Sequence, residues 1–296
     1  MARRRPAGRF LPYLLLAPAL VLLAGMLYPF GLGIYYSMTN YWLQYPQRFR
    51  FIWFDNYVNL MSEPLFARAM EFTLGFTVVA VVVQVGLGLA VALFLHTKVP
   101  GRAVMRALML LPLMMPPVIT ALMWKIMMAS TNAGILNYLL SFIGVDPINW
   151  FGSTQGAVVS VLIIDTWGNL PFVALILLGA LQALPTEPYE AARVDGAGPV
   201  AMFRYVTLPL LMPFIILAVI FRAMDSLRIF DVIYATTMGG PNDATTNLHI
   251  MALQYSFQWY QMGKGMAQAI VLLILVVVVS LVLMRMWNKA SERTAQ

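Results

Sequence analysis

The chain contains no cysteine. Disulfides, thiolate metal sites and cysteine nucleophiles are therefore excluded, while the compartment is left unread. Charge is equally scarce: 10% of the 296 residues are Asp, Glu, Lys or Arg, against about 25% in soluble domains. Histidine is limited to His96 and His249, far apart in sequence and each read as an interfacial residue rather than a ligand. An intramembrane enzyme needs a cluster of His, Asp or Glu with metal or acid–base geometry, and no such cluster is legible. A phosphate-binding loop of the Gly-x4-Gly-Lys-Ser/Thr type is also missing, so the chain does not hydrolyse ATP itself. No internal repeat of 20–50 residues is visible.

What fills the sequence instead is apolar: 61% of the residues are hydrophobic. A soluble fold has no use for that much apolar surface, because its helices need a polar face. The net charge of +7 and a pI near 9.7 raise the question of nucleic-acid binding. The basic residues, however, sit at the ends of apolar runs rather than on an interleaved basic and aromatic surface.

A bilayer core of about 30 Å needs about 20 apolar helical residues. Five runs meet or nearly meet that test: 11–36, 72–95, 105–128, 157–182 and 267–287. A sixth, 207–224, is shorter, carries Pro209 and Pro213 and ends in charge. Prolines are tolerated in spans where neighbouring helices re-satisfy freed backbone groups. The first run follows four arginines but exceeds the roughly 7–15 apolar residues of a signal peptide, so it reads as a retained span. Within the second run, Gly86-Leu87-Gly88 reads as small-residue helix packing. The expected fold is an all-α integral membrane protein of about six transmembrane helices, forming one domain over 1–296.

Lys and Arg near the span ends set the orientation. With the N-terminus inside, the inner side holds Arg3, Arg4, Arg5, Arg9, Lys98, Arg102, Arg106, Arg193, Arg204, Arg285, Lys289 and Arg293. The outer side holds Arg48, Arg50, Arg68 and Lys264. Both termini are thus expected in the cytoplasm, with Trp42, Trp53, Trp150 and Trp259 near the outer boundary. Of the outer loops, Asp55-Asn56-Tyr57-Val58-Asn59-Leu60 reads as an interfacial helix, and 129–156 as irregular.

The cytoplasmic stretch 183–206 is the most informative. Thr186 is an expected N-cap, with Glu187 in the first turn and Pro188 close behind. Glu190-Ala191-Ala192-Arg193 continues the helix, and Gly196 and Gly198 permit the reversal that ends it. A second short helix, from Pro199 to Tyr205, returns to the membrane. Two short helices around a glycine corner make a compact knob suited to a groove on another protein.

Glu190-Ala191-Ala192, then Gly196, then Leu208-Pro209, resembles the EAA motif of importer-type ATP-binding-cassette (ABC) permeases, in their carbohydrate-uptake branch of the maltose/trehalose type. That pattern runs Glu-Ala-Ala, three residues, Gly, nine residues, Ile, one residue, Leu-Pro; Val206 stands at the Ile position. Asn56-Tyr57, Trp167 with Pro171, Gly179-Ala180-Leu181-Gln182 and Gly239-Gly240-Pro241 resemble the same branch in the same order. The resemblance implies that the loop between the fourth and fifth spans is a coupling helix docking into a cytoplasmic ATPase. Glu190 would be its charged anchor, Ala191 and Ala192 would permit close approach, and Asp195 and Gly196 would complete the turn.

The resemblance further implies a second, homologous permease subunit, two ATPase copies and an extracytoplasmic solute-binding protein. It places the chain in a bacterial or archaeal inner membrane, importing a sugar or polyol. The chain would need no cofactor of its own, ATP and Mg being bound by the ATPase.

Charges within a span are costly and mark a pathway or a paired site. The first such place is Asp165 to Phe172, where the Asp165 carboxylate and the Asn169 amide could hydrogen-bond hydroxyls, Trp167 or Phe172 could stack on a sugar, and Gly168 and Pro171 loosen the helix. The second holds Arg222, Asp225, Ser226, Arg228 and Asp231. There the charges recur every three residues and should stack along one helical stripe. Counting 1.5 Å per residue from Leu184 and Leu208 places Asn169 roughly 22 Å and Arg222 roughly 21 Å into the bilayer. In the resembled family the substrate contacts come from these two segments, which implies Asp165, Gly168, Asn169, Phe172, Arg222, Asp225, Ser226 and Ile229 as the matching positions here. An arginine pair also suits a phosphate, so a phosphorylated polyol stays open. An internal Arg222–Asp225 neutralisation is the competing reading. A proton- or sodium-coupled carrier using Asp165 and Asp225 is the rival function, although such carriers usually show internal repeats or more spans.

Overall fold

The computed structural model describes residues 11–97, 100–131 and 134–295. Arg3, Arg4, Arg5, Arg9 and Lys98 therefore lie outside the described residues, as does the side chain of Arg293. In order, the helices are α1 (Leu11–Ser37), α2 (Asp55–Met61), α3 (Pro64–His96), α4 (Arg102–Met114), α5 (Pro117–Met127), α6 (Ile135–Ser141) and α7 (Thr154–Ala183). They continue with α8 (Glu187–Val194), α9 (Pro199–Met202), α10 (Leu208–Leu227), α11 (Asp231–Thr236), α12 (Leu248–Leu253) and α13 (Met262–Ala295). Among the described residues the one β pairing is an isolated antiparallel bridge, Thr39–Phe51. Five helices are long and apolar enough to cross a membrane, or six if the α4–α5 pair is one span.

That pair is where the structure departs from the expected run 105–128. α4 and α5 meet at 100°. Solitary prolines are absorbed inside helices at Pro18, Pro29, Pro171 and Pro213. Pro116-Pro117 is different. Two successive residues lack an N–H, and Pro116 pushes Met115 out of the helical region. Met115 is accordingly extended, at φ −85° and ψ 133°, and Pro117 opens α5 as its first residue.

One compact unit comprises the chain to Ser62 together with Ala252–Val271. Along α1 the apolar side chains from Tyr13 to Tyr28 are mostly exposed, as expected of a helix clothed by lipid rather than by its own chain. Its C-terminus is tied down by the Asn-Tyr pair of the expected interfacial helix, which is α2. Buried Asn56 donates from Nδ2 to the carbonyls of Ser37 and Thr39, both at 2.8 Å. Tyr57 Oη lies 2.7 Å from Ser37 Oγ. Gly263 passes so close that a Cβ there would fall 2.0 Å from the Thr39 carbonyl oxygen.

The other unit comprises Glu63–Met251 and Leu272–Gln296. Its apolar core has two parts. Val81, Val85, Leu95, Val173, Leu177, Leu181, Leu211 and Ala218 join α3, α7 and α10. Phe76, Ala80, Val161, Ile164, Val232, Ile233 and Ile250 join α3 and α7 to α11 and α12. α3 and α7 approach closely at Gly88, where a Cβ would fall 2.5 Å from Val173 Cγ1. Gly86, by contrast, has open space beside it. Of the Gly86-Leu87-Gly88 packing pattern, only Gly88 makes the contact.

Segment 129–156, expected to be irregular, contains α6 and is organised by one side chain. Asn137 is fully buried. Its Nδ2 donates to the carbonyls of Ala129 and Ile148, each at 2.9 Å. Its Oδ1 accepts from the Ile148 amide and from Trp150 Nε1, each at 3.1 Å. One amide thus replaces the ladder bonds that an irregular segment lacks.

Candidate functional site

The two charged places singled out in the sequence form one cluster. α7 supplies Asp165, α10 supplies Arg222, and α3 supplies Gln84. Arg222 donates from Nε to Gln84 Oε1 at 2.6 Å, and from a terminal nitrogen to Asp165 Oδ2 and Ser226 Oγ, each at 3.1 Å. Gln84 Nε2 donates to Asp165 Oδ2 at 2.7 Å. Asn169 Nδ2 donates to Asp165 Oδ1 at 2.9 Å and to the Asp165 carbonyl at 3.0 Å. Arg222 and Ser226 are 1% exposed and Asp165 5%. Arg222 also lies 3.6 Å from Asp225, which pairs with exposed Arg228 at 2.8 Å. Two acids and two bases thus alternate from the buried interior to the surface, cancelling one another as buried ions must.

The sequence missed Gln84. Its signal was there: Gln84 is the only amide or charged side chain in the apolar run 72–95. The expected charge stripe through Asp231 does not form. α10 stops at Leu227, Arg228 takes φ −110°, and Asp231 opens α11. Ile229 is buried in the α3–α7–α11 core. Phe172 packs edge-on against Phe221, ring centroids 5.8 Å apart. Beside Gly168 a Cβ would meet nothing within 4 Å. Asp165, Gly168 and Asn169 line a cavity of about 170 Å³ whose opposite wall is the α4–α5 elbow and Thr120. Among the described residues, no group of three or more His, Cys, Asp or Glu has metal-holding spacing.

The second place is the loop carrying α8. Thr186 occupies the N-cap position, but its side chain makes no capping bond. The C-terminus is closed as expected. Gly196 takes φ +78°, its amide bonds the Arg193 carbonyl at 3.1 Å, and the Ala197 amide bonds the Ala192 carbonyl at 2.9 Å. These are the two bonds of a Schellman motif, in which glycine supplies the left-handed residue. Glu190, Ala191, Asp195 and Gly196 are exposed, and Ala192 is half-buried. The carboxylate of Glu190 makes no ion pair among the described residues. A cavity of about 400 Å³ separates α8 from His96 and the end of α7. The loop is moored on its other side, where Tyr189 Oη donates to Thr207 Oγ1 at 3.2 Å.

The short helix expected from Pro199 to Tyr205 is not separate from the span after it. α9, a π-helical turn at Phe203–Thr207 and α10 run on as one 29-residue helix, Pro199–Leu227. The α8 loop is therefore joined by continuous helix to Arg222 and Asp225.

The profile of the family described as "Binding-protein-dependent transport system inner membrane component" matches residues 84–293. The trehalose/maltose transport permease of Thermococcus litoralis is 40% identical over 78% of this chain and 77% of its own length. The sulfoquinovosyl glycerol transport permease of Agrobacterium fabrum is 34% identical over 94% of this chain and 90% of its own. A solved bacterial ABC transporter that imports the acidic polysaccharide alginate has a chain that superposes with a TM-score of 0.80. That match covers 95% of this chain and 96% of the other at 23% identity, and shows a shared fold.

Proposed function

The chain belongs to the family of binding-protein-dependent transport system inner membrane components, and from that premise we propose that it is the permease subunit of an ABC importer for a sugar or polyol. The observation that carries the coupling part is the α8 loop. It presents Glu190 exposed, with no ion pair among the described residues, on a helix closed by Gly196, and it is continuous with the span bearing Arg222. The carbohydrate part is supported by relatives named for trehalose/maltose, sulfoquinovosyl glycerol and multiple sugars.

In this reading α8 faces the cytoplasm, both termini lie inside, and Glu190 engages a basic residue of an ATPase subunit that binds ATP and Mg. Ala191 and Ala192 permit close approach, and Asp195 and Gly196 hold the turn. A second permease completes the pathway, and an extracytoplasmic binding protein delivers the solute. A solved transporter of the same fold is in complex with its alginate-bound periplasmic protein. ATP-driven closure of the ATPases would move α8, and the continuous helix would carry that motion to the charged cluster. Gly168, Asn169, Phe172 and Asp225 are the groups placed to meet substrate. Asp165, Arg222 and Ser226 shape the pathway from behind, and Ile229 supports it from the core.

The test is a detergent pull-down with uptake measured in parallel. A P-loop ATPase should copurify with the wild-type chain and be lost with Glu190→Arg, which should insert normally yet abolish uptake. Normal uptake by that variant would overturn the coupling role.

A further inference from the structure

We infer that Gln84 is a positioning residue for coupling: its amide locks the helix that carries the α8 loop to both neighbouring helices, so that motion of the loop reaches Asp225 and Arg228. The inference deepens the coupling reading above, on which it rests. It assigns a role to a side chain on α3, outside both segments that the sequence singled out.

Gln84 is fully buried, in a helix whose other buried residues are apolar, glycine or threonine. The threonines satisfy themselves locally, Thr73 and Thr77 returning their hydroxyls to the carbonyls four residues back. Gln84 instead sends both ends of its amide to other helices. Oε1 accepts from Arg222 Nε on α10 at 2.6 Å, and Nε2 donates to Asp165 Oδ2 on α7 at 2.7 Å. A guanidinium only donates and a carboxylate accepts, so the side chain facing both must offer one donor and one acceptor, as an amide does. Arg222 closes the ring by donating to the same Asp165 oxygen at 3.1 Å. Three side chains on three helices are thus bonded pairwise.

A closed triangle restrains more than one pair would. A lone ion pair between α7 and α10 lets either helix turn about the contact, whereas a third corner on α3 opposes that rotation. Hydrogen bonds act over about 3 Å. A slip of α10 against α3 and α7 by one helical turn, about 5.4 Å, would therefore break both Arg222 corners.

That restraint sits far along the lever from the loop. α8 is moored to Thr207 through Tyr189, and the helix runs on from Pro199 to Leu227. Arg222 lies roughly 22 Å beyond Thr207 at the helical rise. It is in turn 3.6 Å from Asp225, which pairs with Arg228 at 2.8 Å. With Gln84 in place, α3, α7 and α10 move as one body when the loop moves, and the outer charges move with them. Without it α10 turns alone, and part of the loop's motion is absorbed as slippage between helices.

The experiment uses the assembled transporter in proteoliposomes, with ATP hydrolysis and uptake of radiolabelled trehalose and maltose measured on the same vesicles. Gln84→Met keeps the length of the side chain and removes both bonds. It should lower the solute taken up per ATP hydrolysed about fivefold or more, the weak end of coupling between distant sites, while hydrolysis continues. Gln84→Asn keeps donor and acceptor on a shorter stem that reaches one partner but not both. It should show a smaller loss, and it carries the test if Gln84→Met does not assemble. Gly88→Ala is the control for packing alone, since it strains the α3–α7 contact at Val173 and leaves the amide in place. It should lower the thermal midpoint with the uptake-to-hydrolysis ratio unchanged. A wild-type ratio in the assembled Gln84 variant would overturn the inference, and so would an equal loss in Gly88→Ala. Normal uptake by Glu190→Arg would overturn the coupling reading and this inference with it. If the wild type takes up neither sugar, the carbohydrate reading fails by itself. The role of Gln84 is then decided by stimulation of hydrolysis by the binding protein, which should be lost in Gln84→Met and kept in Gly88→Ala; stimulation kept in both would overturn it.

Discussion

Removing Asp165 should destabilise the protein strongly, and removing Arg222 along with it should restore much of the loss. Arg222 is 1% exposed and Asp165 5%, so neither ion has water to fall back on. Breaking one partner of a buried pair costs about 3–5 kcal/mol, because the other charge is left uncompensated. Arg222 retains Asp225 at 3.6 Å, but that carboxylate is half-exposed and already shared with Arg228. Asp165→Ala should therefore cost about 3 kcal/mol, near the lower end. Asp165→Asn keeps an acceptor for Gln84 and Arg222 and should cost about half as much. Arg222→Met leaves Asp165 buried with only amide donors and should be at least as damaging as Asp165→Ala. In the double variant Asp165→Leu/Arg222→Met no buried charge remains at the pair, and buried ion pairs replaced by apolar residues are often neutral. The assay is the apparent unfolding midpoint of detergent-solubilised protein, read by monodisperse recovery after heating. At roughly 2–4 °C per kcal/mol, Asp165→Ala should lower the midpoint by about 6–12 °C. The double variant should recover at least half of that loss. A double variant as unstable as the sum of the two single ones would show that the residues do not compensate each other, and would refute the reasoning.

Two more predictions concern backbone geometry. Gly88→Ala places a methyl 2.5 Å from Val173 Cγ1, so it should lower the midpoint by an amount matching about 1–3 kcal/mol of overpacking. Adding Val173→Ala should relieve that clash, and a double variant no better than Gly88→Ala would show that the contact is not what limits α3 and α7. Gly196→Val forces a β-branched residue to φ +78°, costing about 1–2 kcal/mol locally, and should reduce ATPase copurification at undiminished membrane insertion; copurification at the wild-type level would refute the turn's role in docking.

The class of molecule was legible without coordinates, because a lipid environment writes itself into composition. Apolar runs long enough to span a bilayer, with charge concentrated at their ends, exclude a soluble fold whatever the packing. The glycine corner was legible for a similarly local reason: a residue at φ +78° after a short helix is most readily glycine, and Gly196 is where the sequence places one. Asp165 and Arg222 could be singled out because charge inside a span is rare.

The partners of those residues were decided by tertiary structure. Asp165 and Arg222 are 57 positions apart, and Gln84 lies 138 from Arg222. Depth counting could bring the first two to one level but could not choose which helix faces meet. The elbow followed from Pro116-Pro117, whose consequence depends on whether neighbours re-satisfy the freed backbone, a non-local question. Asn137 looked like an ordinary loop amide and became the hub of its segment only because Ala129, Ile148 and Trp150 converge on it. What the sequence determined by itself was what each residue must avoid: water for the apolar runs, an unpaired charge in lipid, a side chain at the glycine corner. Which partner satisfies each requirement was decided only when α3, α7 and α10 packed together, because hydrogen bonds and ion pairs act over about 3 Å and depend on the relative placement of whole helices.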